Sequence, residues 1–187
     1  MECLLTCRTL AKQAPLDVTN AVLSLGFALT DADSLQVFGD DRILPVFCSE
    51  SLPALGEYLS EHPARVCIVR VVGSFADIKT RLRLDFDFEN NVLVLAVPED
   101  FLWGFSAKPE LARFERLLAF ANCCRQVMSI VHPEFLYLDT ELLHPEDVRI
   151  DRAENAGAVR VGPETFSEAS LRELFEWYVN VYTKRWD

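Results

Sequence analysis

At 187 residues, half of them apolar and a quarter charged, the chain has the composition of an ordinary globular protein and enough length for one well-buried core. Its 29 acidic and 18 basic residues give a formal charge of −11, which argues against nucleic acid and anionic membranes as partners, because both attract clustered lysine and arginine. The N-terminus has no signal-peptide pattern and no apolar run reaches the roughly 20 residues that span a bilayer, so we expect a cytosolic protein with reduced cysteines.

The first forty residues predict a strand, a helix and the start of a hairpin. Residues 2–11 are apolar-rich and indicate a first strand, which Pro15 interrupts. Asp17 has the side chain of a helix cap, and the helix after it ends near Gly26. Residues 34–38 then begin a strand-like run that leads into a turn.

The next segment completes that hairpin and adds a helix and a strand. Residues 43–48 form the second strand of the hairpin, around Gly39-Asp40-Asp41. Ser49 or Ser51 caps the helix that follows, and His62-Pro63 ends it. Residues 65–72 are rich in β-branched side chains and predict a strand that Gly73-Ser74 closes.

A second hairpin, over residues 80–97, lies at the centre of the predicted sheet. Charged and apolar residues alternate along its first strand, which indicates one wet and one buried face; the charged residues are Arg81, Arg83, Asp85 and Asp87. Asn90-Asn91 can adopt the positive φ angles of a tight turn. The unbroken apolar run 92–97 predicts a strand that is covered on both faces.

The second half of the chain predicts longer helices. A helical stripe runs from Pro109 to Val131, and residues 134–139 form a short strand after it. A polar stretch at 140–157 leads to an edge strand at 159–161, and an amphipathic helix from about Thr165 closes the chain. We therefore predict one α+β domain over residues 1–187, with a mostly antiparallel sheet of about five to seven strands covered by two long helices and shorter ones.

The sequence contains none of the common signatures of catalysis or cofactor binding. There is no HExxH or paired-cysteine zinc spacing, no GxSxG elbow, no glycine-rich phosphate loop and no calcium-loop spacing. The six cysteines lie in apolar settings such as Phe47-Cys48, which is typical of small core residues. We therefore predict no catalytic residue, no cofactor and no metal ligand.

Acidic residues cluster in two segments that are predicted to be loops. Residues 31–41 contain four acids and no base, and residues 132–154 contain seven acids and two arginines. If both lie on one side of the sheet, their field favours a basic protein partner, with nearby aromatic residues such as Trp103, Tyr137 or Trp186 as anchors. A generally acidic surface without a partner is the plain alternative. The partner-binding residues that we predict are Asp40, Asp41, Asp139, Glu141, Glu146 and Asp147.

Two stretches resemble bacterial immunity proteins, the cognate inhibitors of polymorphic toxins that include type VI secretion effectors. The first runs from Leu84 to Pro98 and precedes a helix; the second runs from His132 to Glu141. With the helix between them they cover about a third of the chain, and the similarity is one of pattern, so no residue role is transferred. The resemblance implies a non-catalytic protein that binds a toxin domain tightly and occludes its active site.

Two other functions fit the sequence. A small hydrolase or transferase with an unrecognised site predicts a deep pocket with convergent polar groups and shifted pKa values. An adaptor subunit of a larger bacterial assembly predicts a large exposed apolar patch. The sequence does not determine the oligomeric state.

Overall fold

A computed structural model describes residues 2–40, 43–76, 78–98, 109–138 and 159–161, together with Ala169 and Glu173. These residues have an α+β fold in which helices cover one antiparallel sheet of eight strands, so the predicted fold class is confirmed. The strands are β1 (Glu2–Thr6), β2 (Leu35–Phe38), β3 (Pro45–Ser49), β4 (Val66–Phe75), β5 (Ile78–Asp87), β6 (Val92–Ala96), β7 (Phe135–Leu138) and β8 (Val159–Val161). The helices are α1 (Ala14–Ser24), α2 (Leu52–Glu61) and α3 (Pro109–Val131).

The prediction that two long helices cover the sheet agrees only in part with the structure. Helix α3 is the long helix that the apolar stripe predicts. The closing helix lies outside the described residues except for Ala169 and Glu173, which are both helical. Within the described part of the chain, the sheet is covered by α3 together with the shorter helices α1 and α2.

The strand order is β3-β2-β4-β5-β6-β1-β7-β8. Both predicted hairpins, β2–β3 and β5–β6, are present as antiparallel pairs. The N-terminal strand β1 lies inside the sheet between β6 and β7, which joins the two halves of the chain. Because β2 is antiparallel to both β3 and β4, the connection through α2 is a crossover between two parallel strands that flank β2.

The longest strand pair is β4–β5, which extends from Val66 opposite Asp87 to Phe75 opposite Ile78. The prediction that Gly73-Ser74 ends β4 is therefore wrong, and the chain turns only at Ala76, whose φ is 53°. Gly73 stays within the strand because the ring of Phe27 lies against it: a Cβ atom there would be 2.5 Å from Phe27 Cδ1.

One face of the sheet forms the main core beneath the three helices. Alternate residues of the central strands contribute their side chains to it, and α1, α2 and α3 cover them with apolar residues such as Val18, Leu55 and Phe120. The T-shaped contact of Phe75 with Phe120, at 5.6 Å between ring centroids, joins β4 to α3. The opposite face is buried around β1, β6 and β7, where Leu4 and Tyr137 are 1% exposed.

The turn between β5 and β6 differs from the predicted one in two ways. Only Asn91 has a positive φ, 56°, while Asn90 is buried at 7% exposure. The Asp87 carboxylate accepts hydrogen bonds from the Asn90 backbone N–H at 2.9 Å and from its Nδ2 at 3.0 Å. Asp87 is 6% exposed, so the predicted wet face of β5 does not extend to the end of the strand.

The first residues of α1 and α2 can be compared with the N-caps that were predicted for them. Ser51 caps α2 as predicted, with its Oγ accepting from the Ala54 N–H, and the helix ends at Glu61 before His62. The cap predicted at Asp17 is wrong, because α1 begins at Ala14 and places Asp17 in its first turn. The physical reason is Pro15, whose fixed φ suits the first turn of a helix and so begins α1.

Candidate binding surface

Strand β3 is the outer strand at one end of the sheet. It pairs with β2 on one side, and the register shifts at Phe38, which lies opposite Pro45. Proline has no N–H to donate, and in sheets it is confined to edge strands, strand starts and bulges. Pro45 and the bulge at Val46 therefore interrupt regular pairing in the first half of β3 and leave its second half, from Phe47 to Ser49, as regular strand.

The hydrogen bonds of β2 fix which backbone groups of β3 point outward. The carbonyls of Ser34 and Phe38 accept from backbone amides on the β4 side, at 2.7 and 3.0 Å. Leu35 and Val37 lie between these bonds and direct their N–H and C=O groups the other way, towards β3. They are paired with Ser49 and Phe47, which therefore direct their own peptide groups towards β2. Cys48, between them, directs its N–H and C=O to the open side of the sheet.

Three large apolar side chains are exposed along this strand and the residues before it. Ile43 is 80% exposed, Leu44 is 69% exposed and Val46 is 52% exposed. Cys48 is exposed as well, and residues 43–49 contain no charged side chain. We call residues 43–49 the β3 edge. Among the described strands none pairs with the outer side of β3, and an uncharged apolar edge of this kind can accept another strand.

Aromatic rings flank the β3 edge on the side that faces the helices. The ring of Phe47 stacks on Tyr58 of α2 at 4.6 Å between centroids, and Tyr58 stacks on His62 at 4.4 Å. Phe47 and Tyr58 are only half-buried against the main core. The edge therefore has an aromatic border along one side.

Of the six predicted partner-binding residues, only Asp40 lies in the described part of the chain. Its side chain is 95% exposed, and its Oδ1 lies 3.0 Å from Nε of Arg65. Asp40 follows Gly39 at the end of β2, directly before the β3 edge. The other five, Asp41, Asp139, Glu141, Glu146 and Asp147, lie outside the described residues.

The other acids beside the β3 edge have different surroundings. Asp31 Oδ1 accepts hydrogen bonds from the Asp33 N–H at 3.1 Å and from Ser34 Oγ at 3.2 Å, which fixes the loop before β2. Asp33 is exposed and close enough to Cys48 for its carboxylate to act on the thiol. Glu50, at the end of β3, is exposed. Residues 28–50 carry five acids and one base in all.

Basic residues cluster on the outer face of β4 and β5. Two of them are the arginines of the central hairpin that were predicted to lie on its wet face. Arg70 lies directly opposite Arg83 in the register, and Lys79 and Arg81 are exposed on the same face. Arg70 Nη1 donates to Gln36 Oε1 at 2.6 Å, and Arg83 Nη2 lies 3.0 Å from Asp85 Oδ2. The two facing arginines are thus engaged with the protein's own side chains.

Asp85 is mostly buried beside this group, contrary to the wet face predicted for β5. Burial raises the pKa of its carboxyl above the ordinary value of 3.8, and the Arg83 guanidinium opposes that effect. Its Oδ1 has no hydrogen-bond partner. The carboxylate therefore carries a cost of burial that one ion pair offsets only in part.

Five of the six cysteines are buried, as predicted, whereas Cys48 is exposed. Burial raises the pKa of Cys7 to about 11 and the pKa of both Cys67 and Cys123 to about 12. At Cys48, partial desolvation and the Asp33 carboxylate raise the pKa of the thiol. Thiols with raised pKa values hold little thiolate at neutral pH and are poor nucleophiles.

Neither the exposure of the β3 edge nor the burial of one proposed aromatic anchor was predicted from the sequence. Pro45 was the available signal, because a proline within a strand marks an edge or a bulge. Tyr137 was expected to be exposed, but it is buried because it packs with Leu4 and Val92 in the apolar cluster on the opposite face of the sheet. Trp103 and Trp186 lie outside the described residues.

Among the helices that the structure describes, none has the length and apolarity that a bilayer crossing requires. Comparisons with protein-family models, with curated proteins and with solved structures found no match for this chain. The function therefore has to be inferred from the β3 edge and the charges around it.

Proposed function

We propose that this protein is a non-enzymatic binding protein, an immunity protein that neutralises a basic toxin domain by occluding its active site. The observation that carries the proposal is the β3 edge, an exposed apolar strand at the end of the sheet, next to an acidic loop. Interfaces combine an apolar centre with a polar border, and opposite charge accelerates association. A basic toxin surface matches both properties.

The charge of the whole chain supports the same class of partner. The protein carries a formal charge of −11, and Asp40 exposes 95% of its side chain where the chain enters the β3 edge. Such a field attracts a basic protein over about 10 Å at moderate ionic strength. The proposal places the protein in the cytosol, where it meets the toxin domain.

The cysteine environments favour binding over thiol chemistry. Cys67 and Cys123 are fully buried, and burial raises the pKa of each to about 12. A thiol nucleophile needs a lowered pKa and access to a substrate. These two thiols have the properties of core residues.

Growth rescue is the first test of the proposal. The test uses the gene next to the one for this chain: where it encodes a large protein with a toxin-like C-terminal domain, that domain is expressed in a bacterial host with and without this protein. We expect the domain alone to arrest growth and co-expression to restore it. Failure to rescue growth, together with no binding between the purified proteins, would overturn the proposal.

Charge reversal tests which acids the partner contacts. Asp40→Lys combined with Asp41→Lys is compared with Glu57→Lys combined with Glu61→Lys, two exposed positions on α2, so that both variants change the net charge equally. We expect the first pair to slow association by about tenfold and the second by less than about threefold, measured by stopped flow at low salt. The same comparison extends to Asp139, Glu141, Glu146 and Asp147.

The exposed apolar residues also favour a second function, an adaptor subunit of a larger bacterial assembly. Ile43 and Leu44 are more exposed than most large apolar residues, and contiguous patches of this kind mark protein contacts. An adaptor is expected to remain in a permanent complex and to leave toxin-arrested growth unchanged. Co-purification at fixed stoichiometry without growth rescue would support this function instead.

A further inference from the structure

Within the part of the chain that the structure describes, no strand pairs with the outer side of β3, and the orientation of its residues defines what fits there. We propose that an extended segment of the partner, in which apolar and basic residues alternate, pairs with β3 as an additional strand of the sheet. This inference rests on the proposed function for the existence of a basic partner. It adds the way in which that partner binds.

The backbone of β3 supplies the first requirement for an added strand. Cys48 directs its N–H and C=O outward, as the pairing of Phe47 and Ser49 with β2 requires. No charged residue occurs in the β3 edge to repel an incoming strand. Pro45 and the bulge confine regular pairing to the segment after them, so the added strand is short and its register is fixed by Cys48.

The two sides of the β3 edge explain why the incoming side chains alternate. On the helix side, the rings of Phe47 and Tyr58 form a half-buried border that suits apolar side chains. On the outer side, the exposed carboxylate of Asp33 lies close to Cys48 and suits lysine or arginine, while the nearby Arg70 guanidinium is engaged with Gln36 Oε1 and the Asp33 carbonyl. Because side chains of a strand point to opposite faces in turn, the matching segment alternates apolar and basic residues.

The charge of the protein decides between this occupant and a second copy of the chain. Each copy has a formal charge of −11, and the segment around β3 is itself acidic, so pairing of two β3 edges brings like charges together. Like charges in close contact disfavour association, whereas a basic segment gains attraction at the same place. The occupant that fits is therefore a basic segment of another protein.

A synthetic peptide tests the proposal without knowledge of the partner. The probe is a fluorescein-labelled heptapeptide of alternating lysine and valine, Lys-Val-Lys-Val-Lys-Val-Lys, and its charge control replaces every lysine with glutamate. We expect fluorescence anisotropy to show saturable binding of the lysine peptide, at least about tenfold tighter than the glutamate peptide and weaker in high salt. No saturable binding at up to about 1 mM peptide, or equal binding of both peptides, would overturn the proposal.

A backbone variant tests whether the peptide pairs with β3. Cys48→Pro removes the outward N–H without removing a hydrogen bond to β2, and Cys48→Ser is the matched control that keeps the N–H. We expect Cys48→Pro to weaken binding of the lysine peptide by about tenfold, the equivalent of one lost hydrogen bond, and Cys48→Ser to leave it within about twofold. Equal weakening by both variants, or by neither, contradicts strand addition.

A measurement on the unaltered protein covers the case in which Cys48→Pro does not fold. Alkylation of Cys48 by iodoacetamide is followed with saturating lysine peptide, with the glutamate peptide and without peptide. We expect only the lysine peptide to protect the thiol, because an added strand covers the open side of β3. Unchanged alkylation in the presence of bound lysine peptide contradicts the proposed position.

The outcomes separate this inference from the proposed function. Growth rescue by the Cys48→Pro variant at the level of the unaltered protein would leave the function standing and overturn strand addition. Lysine-peptide binding that Cys48→Pro abolishes, without growth rescue, would support strand addition and overturn the toxin as partner. A dimer in sedimentation velocity that Cys48→Pro dissociates would show that a second copy takes the place of the basic segment, and would overturn the inference.

Discussion

At the scale of single residues, the Asp85 carboxylate is a charge that the fold holds largely away from water. Burial raises its pKa above 3.8. Between pH 3.8 and the raised pKa, the folded protein therefore binds more protons than the unfolded chain. Linkage then makes the contribution of Asp85 to the free energy of unfolding less favourable as pH rises through this window. Above the window the contribution is constant, and the ionised side chain weakens the fold.

We therefore predict that Asp85→Asn increases the free energy of unfolding at pH 7. The gain is expected to be less than about 1 kcal/mol, because the half-exposed Arg83 loses an ion pair at the same time. The gain should shrink as pH falls towards 3.8, where the carboxyl of the unaltered protein takes up its proton. Urea denaturation at several pH values measures it.

The matched control for that prediction is Glu2→Gln. Glu2 Oε1 lies 3.8 Å from Arg83 Nη2, so this variant also removes a carboxylate from the same guanidinium. It removes the attraction of one carboxylate to Arg83 and leaves Asp85 buried, although it also removes the Glu2 charge that helps to raise the pKa of Asp85. A loss of stability in Asp85→Asn at pH 7 would show that the ion pair outweighs the cost of burying the carboxylate.

At the scale of elements, strand β4 depends on the absence of a side chain at Gly73. The Phe27 ring lies over this position and also contacts Phe75 at 4.9 Å between centroids. Gly73→Ala would place a Cβ atom 2.5 Å from Phe27 Cγ, so the ring or the strand has to move. We predict a loss of about 1–3 kcal/mol in the free energy of unfolding, the usual cost of overpacking.

Gly39→Ala is the matched control for Gly73→Ala. A Cβ atom at Gly39 would lie 3.6 Å from Val46 Cγ1, which is an ordinary contact. We expect its free energy of unfolding to change by no more than about 0.5 kcal/mol in urea denaturation. Equal effects of the two substitutions would show that contact with the Phe27 ring does not set the cost at Gly73.

The elements also show which parts of the fold were predictable. Local patterns identified the hairpins β2–β3 and β5–β6, the Ser51 cap and the extent of α3. They failed where a partner distant in sequence decides the outcome. Phe27 packs over Gly73 and so lets β4 continue past it, and packing against Leu4 of β1 and Val92 of β6 buries Tyr137.

The candidate site was less predictable than the fold. The sequence identified Asp40 from the clustering of acids, but it did not distinguish Cys48 from the five buried cysteines. The face of the sheet and the strand order decide this difference, because Cys48 lies opposite Gln36 on an outer strand, whereas Cys67 lies opposite Val37 on the face that forms the main core. Strand order arises from pairings between distant segments, which a periodicity within one segment does not encode.

At the scale of the whole molecule, the main core links both halves of the chain. Cys3 on β1, Cys67 on β4, and Cys123 and Cys124 on α3 belong to one continuous cluster of buried residues. If this cluster unfolds as a unit, consistent with the predicted single domain, its thiols become accessible together. Cys48 lies outside the core and is accessible without unfolding.

We therefore predict two classes of thiol in a native-state labelling experiment with a maleimide. Cys48 should react first in the absence of denaturant, because it alone of the six cysteines is exposed. In increasing urea, Cys67 and Cys123 should label at rates that converge on one value set by global unfolding. Peptide mapping by mass spectrometry assigns each rate, and Cys48→Ser is the control for the fast phase. Faster labelling of Cys123 than of Cys67 would show that α3 leaves the sheet before the strands separate, and would contradict a single cooperative core.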